Sequence, residues 1–423
     1  MEQALSHGLA DTAVAAASFL RTRWRAACLR TRADVEAHQK RRIAAWLAGP
    51  VARVKAFRKQ TPCRLGDMPI TDKASVMARL EDYNALGLSA PEIAAMMARR
   101  EHPPRHLVGA STGTSGNRSW YVISLAERQL WLGAILAKTL PRFPFETARV
   151  AVALPVEAPL YAAADRGRLL SLRFFDLGDG LDTLPRRMAA YGPDTLIAPP
   201  STLRYLAHFP DLLRPKRVFS GAEVLDPIDH RAIEAAFGVK VREIYMAAEG
   251  LLGVSCRFGT MHLAEDAMHF ELQKAADGLV SPVITDFSRG VQITARYRMN
   301  DLLRLAEMPC ACGSPLQAVA EIVGRSDDMF RLPGAAGQVE VAPGAIRNAI
   351  TGAHASINDF RCVQDGPSLV GLWVDPLAAF QAARAGLAAA FVRAGCRGEI
   401  ALLEGKPQDG RKLRRVWRRW RET

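Results

Sequence analysis

The sequence predicts an α/β protein: a large N-terminal domain with mixed or parallel sheets flanked by helices, then a small α+β C-terminal domain. Three observations carry this reading. From about residue 106, short apolar strands alternate with helical stretches, as in α/β units around a largely parallel sheet. After about residue 328 the pattern changes to a compact α+β unit of ordinary domain size. The length of 423 residues suits two or three domains rather than one small core.

Taken in order, residues 12–60 read as helices, because apolar and basic positions recur at helical spacing and no glycine stands between Gly8 and Gly49. The helical N-terminal segment runs to about residue 100. Strands are expected at 150–154, 196–198, 218–220 and 239–245, with helices at 127–138 and 228–237 among them. Two helix starts are well marked: Ser124 with Glu127 has the form of a capping box, and Asp226 precedes a proline at the first helical position. Ser124 also sets the preceding Gly/Ser segment between a strand and a helix, where phosphate sites are common. The small domain reads as helix 343–353, strands 358–364 and 368–374, an Ala-rich helix 376–394 and strand 399–403. Gly324-Arg325-Ser326-Asp327-Asp328 marks the junction, giving domains 1–325 and 326–423.

Apolar residues make up 49% and charged residues 23%, as in an ordinary soluble protein. No run of ~18 apolar residues predicts a membrane span. The first apolar stretch lacks a basic lead, so no secretory signal is expected. Seven cysteines, an odd number, argue for a reducing, cytoplasmic setting. The net charge of +13 gathers at the two ends. Such clusters attract polyanions (nucleic acid, a nucleotide, an acidic lipid face or an acidic carrier protein), or they form a solvated arginine-rich face. With no aromatic RNA-binding motif and no zinc-finger pattern, nucleic acid is not an expected partner.

The densest chemistry lies in His106-Leu107-Val108-Gly109-Ala110-Ser111-Thr112-Gly113-Thr114-Ser115-Gly116-Asn117-Arg118. An apolar strand runs into a loop of glycine and hydroxyl residues that ends on a guanidinium. Glycine lets successive N–H groups face one concavity, which suits a polyphosphate. The GxxxxGK[ST] spacing of the common nucleotide hydrolases is absent, and a flexible Ser/Gly linker is the alternative reading. Four segments follow in order: Ser220-Gly221-Ala222-Glu223, Glu243-Ile244-Tyr245-Met246-Ala247-Ala248-Glu249-Gly250, Tyr297-Arg298-Met299-Asn300-Asp301, and the 324–328 junction. Each alone is weak, since a tyrosine or acid at a strand end is commonly structural.

In this order and context the set resembles the adenylate-forming superfamily, the acyl-CoA synthetases and their relatives. Within it the likeness is to the phenylacetate–CoA ligase-like branch, closest to one clade of adenylate-forming enzymes. The resemblance runs from about residue 15 to 418 and includes Tyr161, Arg173 to Leu177, Ala198 to Ser201 and Val283 to Phe287. It implies ATP- and Mg²⁺-dependent activation of a small carboxylic acid, of aromatic type, to an acyl-adenylate with release of pyrophosphate. Transfer to coenzyme A would follow, or to an acidic acyl carrier protein that would match the basic surface. Amide formation with an amine is an alternative, and a non-catalytic nucleotide- or RNA-binding protein on the same fold is the rival from another class.

The roles that the resemblance implies are specific. Ser111, Thr112, Gly113, Thr114, Ser115, Gly116 and Arg118 would hold the β- and γ-phosphates. Gly221, Ala222, Glu223 and Tyr245 would flank the adenine, and Asp301 and Arg325 would take the ribose. Glu249 would bind Mg²⁺, a hard cation that prefers carboxylate and phosphate oxygens. Lys412 would contact the α-phosphate and the substrate carboxylate, with Lys406 as the competing lysine. The small domain would rotate about a junction near Asp327, and the acid pocket would draw on Tyr161, residues 198–201 and the chain after Gly221. Three positions differ from the family pattern: Arg118 stands where lysine is common, Ala248 where threonine is usual, and Lys412 lacks its Gly-Lys context. Positioning and charge neutralisation would carry the chemistry.

Cys256, His262, Cys310 and Cys312 form a second constellation. Cys₃His is an established zinc set, but the Cys-x-Cys spacing is tight, and buried free cysteines are the alternative. The resemblance decides for structural Zn²⁺, since members of the branch carry Cys and His at corresponding positions. Four protein ligands leave no open position for catalysis. Cys28, Cys63, Cys362 and Cys396 read as packing residues and His269 as structural. Trp417 and Trp420 read as neighbours on a docking helix or as packing on the small domain. The oligomeric state, monomer or homodimer, is open.

Overall fold

The computed structural model describes residues 2–58, 64–111, 119–154, 169–407 and 413–421. Two helices open the chain, Glu2–Cys28 and Arg32–Ala48. The second begins at Thr31, whose side chain accepts from Asp34 N while the Asp34 carboxylate accepts from Thr31 N at 2.8 Å, a reciprocal cap. The first lies along the helix Leu125–Thr139, and Gly133 permits the approach: a Cβ there would sit 2.2 Å from Ala15 O. Among the described residues no helix is long and apolar enough to cross a membrane.

The strands are β1 (His106–Ala110), β2 (Trp120–Ser124), β3 (Ala148–Leu154), β4 (Leu170–Asp176), β5 (Thr195–Ala198), β6 (Arg217–Gly221) and β7 (Val241–Ala247). There follow β8 (Gly250–Ser255), β9 (Met261–Leu263), β10 (His269–Lys274), β11 (Val280–Thr285), β12 (Tyr297–Arg298), β13 (Asp301–Leu305) and β14 (Ala318–Arg325). β1 and β2 form a separate hairpin; the other twelve make one sheet, in the order β4-β3-β5-β6-β7-β8-β9-β14-β13-β11-β10 with β12 beside β11. From β4 to β7 every neighbour is parallel, and the buried run of β3 suits strands covered on both faces. From the β7–β8 pair onward the neighbours are antiparallel. The sheet therefore changes sense at its middle.

The expected helix at 127–138 begins at Leu125 on its Ser124–Glu127 capping box. The segment before it differs from the sequence expectation. The Gly/Ser loop joins β1 to β2 rather than a strand to a helix, because the β-branched and aromatic run Trp120–Ser124 pairs with β1 in full register. Gly109 lies opposite Tyr121 in that register, and a Cβ there would come within 2.3 Å of the tyrosine ring.

After Arg325 the chain builds its own layers. β15 (Phe330–Gly334) and β16 (Gly337–Val341) form a hairpin, and β17 (Asp359–Gln364), β18 (Leu369–Asp375), β19 (Glu399–Leu402) and β20 (Val416–Arg418) form a sheet in the order β19-β18-β17-β20. Its apolar face, with Phe360 and Leu372, packs on Ile346 of the helix Pro343–Thr351 and Leu387 and Phe391 of the helix Phe380–Arg393. Trp417 departs from the helical reading: it is buried on β20 beside Val363, in parallel register. Cys28 is exposed rather than packed, whereas Cys362 and Cys396 are buried. Cys63 lies outside the described residues.

Candidate active site

Ligands of open parallel sheets sit beyond the carboxyl ends of the strands, and Gly221, Ala222, Glu223 and Glu249 fall there. β6 ends at Ser220-Gly221, and the next residue, Ala222, takes a left-handed φ of 67°, a conformation that costs an L-residue about 1–2 kcal/mol. This turn presents Glu223, whose Oε2 accepts from Ser201 Oγ (2.9 Å) and whose Oε1 accepts from Leu413 N of the small domain (3.0 Å). The backbone next to Lys412 is thus tied to the segment assigned to the adenine. Lys412 itself lies outside the described residues. Lys406, the competing lysine, is engaged elsewhere: its ammonium is 2.7 Å from Asp359 Oδ2 and 5.3 Å from the centre of the Trp373 ring.

Tyr245 projects from β7 and donates to Asp301 Oδ2 at 2.6 Å. Burial first, then the carboxylates of Asp301 and Glu249, push its phenol well above the usual range. Asp301 faces Arg325 across β13 and β14, with Arg325 Nε 3.8 Å from Asp301 Oδ1. A carboxylate offers about four lone-pair positions to hydrogen-bond donors.

Only Ala248 and Glu249 join β7 to β8, so Glu249 sits where the sheet changes sense. Glu249 lies beside Tyr297, a phenol raised by burial and then by that carboxylate, with Ser119 lowering it. Ser119 closes the foot of the Gly/Ser loop: Ser111 N donates to Ser119 O at 2.7 Å and Ser119 N to Ser111 Oγ at 2.9 Å. Thr112, Gly113, Thr114, Ser115, Gly116 and Arg118 fall outside the described residues, as does Tyr161.

Two cations at this place were not singled out in the sequence. Lys73 is lowered by burial and lies within electrostatic reach of Glu249, Arg325 and Asp327. Asp327 in turn accepts from Asn300 Nδ2 at 2.8 Å. Arg289 lines a cleft with Thr71, Ser119, Glu249 and Tyr297. Neither belongs to a motif with a recognisable spacing, which is why the residue pattern carried no signal.

A separate cluster stands at the edge of β8 and β9. Cys256, His262, Cys310 and Cys312 bring one ligand atom each within 4.8 Å of one another. Cys256 Sγ is 3.7 Å from Cys310 Sγ, and Cys312 Sγ is 3.3 Å from His262 Nε2. Tetrahedral zinc with Zn–S near 2.3 Å separates two sulfurs by about 3.8 Å. His262 Nδ1 faces Leu316 O at 3.1 Å. A carbonyl can only accept, so Nδ1 carries the proton and Nε2 presents its lone pair to the sulfurs, as metal ligation requires. The donor set and its geometry fit a closed structural site.

The small domain meets the large one through buried ion pairs. Arg415 Nη1 is 2.5 Å from Asp226 Oδ2 and 2.6 Å from Asp229 Oδ2, and its Nε is 2.9 Å from Asp359 Oδ1. Burial opposes its charge, but Asp226, Asp229 and Asp359 hold it above the usual arginine range. Arg347 adds a contact to Asp226 (2.8 Å).

This large mixed sheet with its separate C-terminal α+β domain is the fold of the adenylate-forming ligases. A crystal structure of 2-hydroxyisobutyryl-CoA ligase in the postadenylation state with 2-HIB-AMP shares it, at 17% identity, 90% of this chain, 88% of that chain and a TM-score of 0.66. The same ligase in the thioesterification state with 2-HIB-AMP and CoA gives 18%, 92%, 89% and 0.50. ATP-bound MatB from Rhodopseudomonas palustris gives 17%, 72%, 65% and 0.50. Comparison with protein-family models and with curated protein sequences finds no match.

Proposed function

We propose that this chain is an ATP- and Mg²⁺-dependent acid–thiol ligase that converts a carboxylic acid, of aromatic type as the resemblance implies, to an acyl-adenylate and then to a CoA thioester. The observation that carries this reading is the convergence of Glu249, Tyr297, Ser119 and Lys73 at the carboxyl ends of the parallel strands, beside the Tyr245–Asp301–Arg325 chain. An anion-binding loop foot, a carboxylate for a hard cation and a hydroxyl-binding carboxylate are the three parts a nucleoside triphosphate needs. The solved ligases of this fold that hold an acyl-AMP, CoA or ATP support the same assignment.

On this reading residues 1–325 bind ATP and acid, and 326–423 form the lid that delivers Lys412. Glu249 holds Mg²⁺, which when bound neutralises phosphate charge. Tyr297 fixes the Glu249 carboxylate through its hydroxyl, and Asp301 orients the ribose while Tyr245 and Arg325 hold Asp301 in place. The acid's carboxylate oxygen bonds to the α-phosphorus, and the bond to the bridging oxygen breaks with its electron pair leaving on pyrophosphate. The protein's share is orientation and charge placement. Cys256, His262, Cys310 and Cys312 hold a structural Zn²⁺.

Acid-dependent exchange of labelled pyrophosphate into ATP tests the reading across a panel of aromatic and aliphatic acids. Exchange with at least one acid, falling about 100-fold or more in Glu249→Ala, is expected. No exchange with any acid, or full exchange in that variant, would overturn it.

A further inference from the structure

Arg289 is the largest fully buried side chain of the described residues, at 1% exposure, and no step of the adenylation chemistry described so far uses it. Its position is over-determined. Trp46 Nε1 donates to its carbonyl (2.6 Å), and the next two amides, Gly290 N and Val291 N, donate to Glu127 Oε1 (2.6 and 3.0 Å). Glu127 is itself the N3 partner of Ser124 in the capping box of the helix Leu125–Thr139. One residue further, Gln292 Oε1 accepts from Val122 N of β2 (2.9 Å). The guanidinium lies over Trp131 at 4.4 Å from the ring centre, a cation–π placement.

Its donors are only partly used. Nη2 donates to Ala248 O at 2.6 Å, the carbonyl immediately before Glu249. Nε faces Asp286 Oδ2 at 3.4 Å, and burial pushes that carboxyl up toward its neutral form. Nη1 is buried with no hydrogen-bond partner among the described residues. A buried cation with an unmade hydrogen bond is costly unless a ligand completes it. The cleft that Arg289 lines is bounded by Ser119 at the foot of the Gly/Ser loop and by Glu249 and Tyr297.

We infer that Arg289 Nη1 binds the terminal phosphates of the nucleotide, the part that departs as pyrophosphate. This rests on the ATP reading of the same cleft. A planar fork suits this role, because one nitrogen holds the backbone carbonyl next to Glu249 while another meets a phosphate oxygen. The cation and the metal-binding carboxylate thereby keep a fixed spacing. As the α-phosphorus bond to the bridging oxygen breaks, the negative charge that gathers on the departing pyrophosphate meets a cation already in place.

The test compares ATP with AMP, which lacks those phosphates. Affinities of the full chain for Mg-ATP, Mg-pyrophosphate and AMP are measured by calorimetry in wild type, R289Q and R289K. In R289Q, ATP and pyrophosphate are expected to weaken about 10- to 100-fold, the worth of a hydrogen bond to a charged group, with AMP unchanged. Equal losses for ATP and AMP, or no loss for either, would overturn the inference, because a purely structural role cannot distinguish the two nucleotides. If R289Q does not fold, R289K decides: a lysine keeps the charge but cannot serve both partners, so an ATP-to-AMP affinity ratio equal to wild type overturns the inference and a lowered ratio supports it. A wild-type protein that binds neither nucleotide would instead remove the ATP reading itself.

Discussion

Replacing Arg415 by methionine keeps most of the side-chain volume and removes the charge that three aspartates share. In the native chain Asp226 and Asp229 belong to the large domain and Arg415 to the small one, and all three side chains are 4% exposed or less. Breaking a buried pair by removing one partner costs about 3–5 kcal/mol, because the other charge stays buried. Here three carboxylates lose a partner, but Asp226 keeps Arg347 at 2.8 Å, Asp229 keeps Arg204 at 3.0 Å and Asp359 keeps Lys406 at 2.7 Å. The low end, about 3 kcal/mol, is therefore expected. The loss falls on the docked arrangement of the domains, so the docked population drops by about 100-fold relative to undocked forms. Urea unfolding would report the stability loss, and small-angle scattering the increase in radius. Asp359→Asn serves as control, since Asp359 lies within the small domain and its loss leaves Arg415 bound to Asp226 and Asp229. Stability within about 0.5 kcal/mol of wild type, with an unchanged scattering curve, would refute the reasoning.

Two further outcomes follow from the geometry. Elemental analysis of the purified chain should find one zinc, and Cys310→Ser should lose it and lower the unfolding midpoint; retained zinc at full stability would disprove the site. Burial pushes the Glu243 carboxyl up to about 7, with Arg347 opposing. Below pH 4.5 it is protonated whether the chain is folded or not, and between about 4.5 and 7 the unfolded chain releases a proton that the folded one keeps. Stability therefore falls across that window as pH rises, by up to about 3 kcal/mol, and Glu243→Gln should abolish the fall; parallel stability profiles for the two proteins would contradict it.

The parallel half of the sheet was legible because its strands are short apolar runs bounded by capped helices, as at Ser124 and Asp226. The small domain was legible for the same reason, with its helix 376–394 shortened because Leu377–Ala379 forms a separate tight turn before Phe380. The strands β8 to β14 were not placed one by one, although Asp277-Gly278, both left-handed between the antiparallel pair β10 and β11, is a hairpin signal that marks one of those turns; the other pairings are set by long-range contacts. The same limit applies to the site. Tyr245, Asp301, Arg325 and Glu249 sit in segments whose order could be recognised, and the structure draws them together. Lys73, Arg289 and Arg415 are single cations in ordinary surroundings, and only the folded chain shows what faces them. Thr112 to Gly116, Arg118 and Lys412 lie outside the described residues, so their assigned roles rest on the resemblance.

The two-residue turn between β7 and β8 has a consequence for how such a protein can change. A carboxylate carried there has no slack of its own and inherits the stiffness of two central strands. The connection after β4, seven residues from Leu177 to Thr183 before the next α-helix, is longer and can be rebuilt without shifting that turn. A single residue inserted beside Glu249 would slip β8 by one position and exchange the faces of every side chain along it. The position of Glu249 and the course of that outer connection are thereby mechanically decoupled within one sheet.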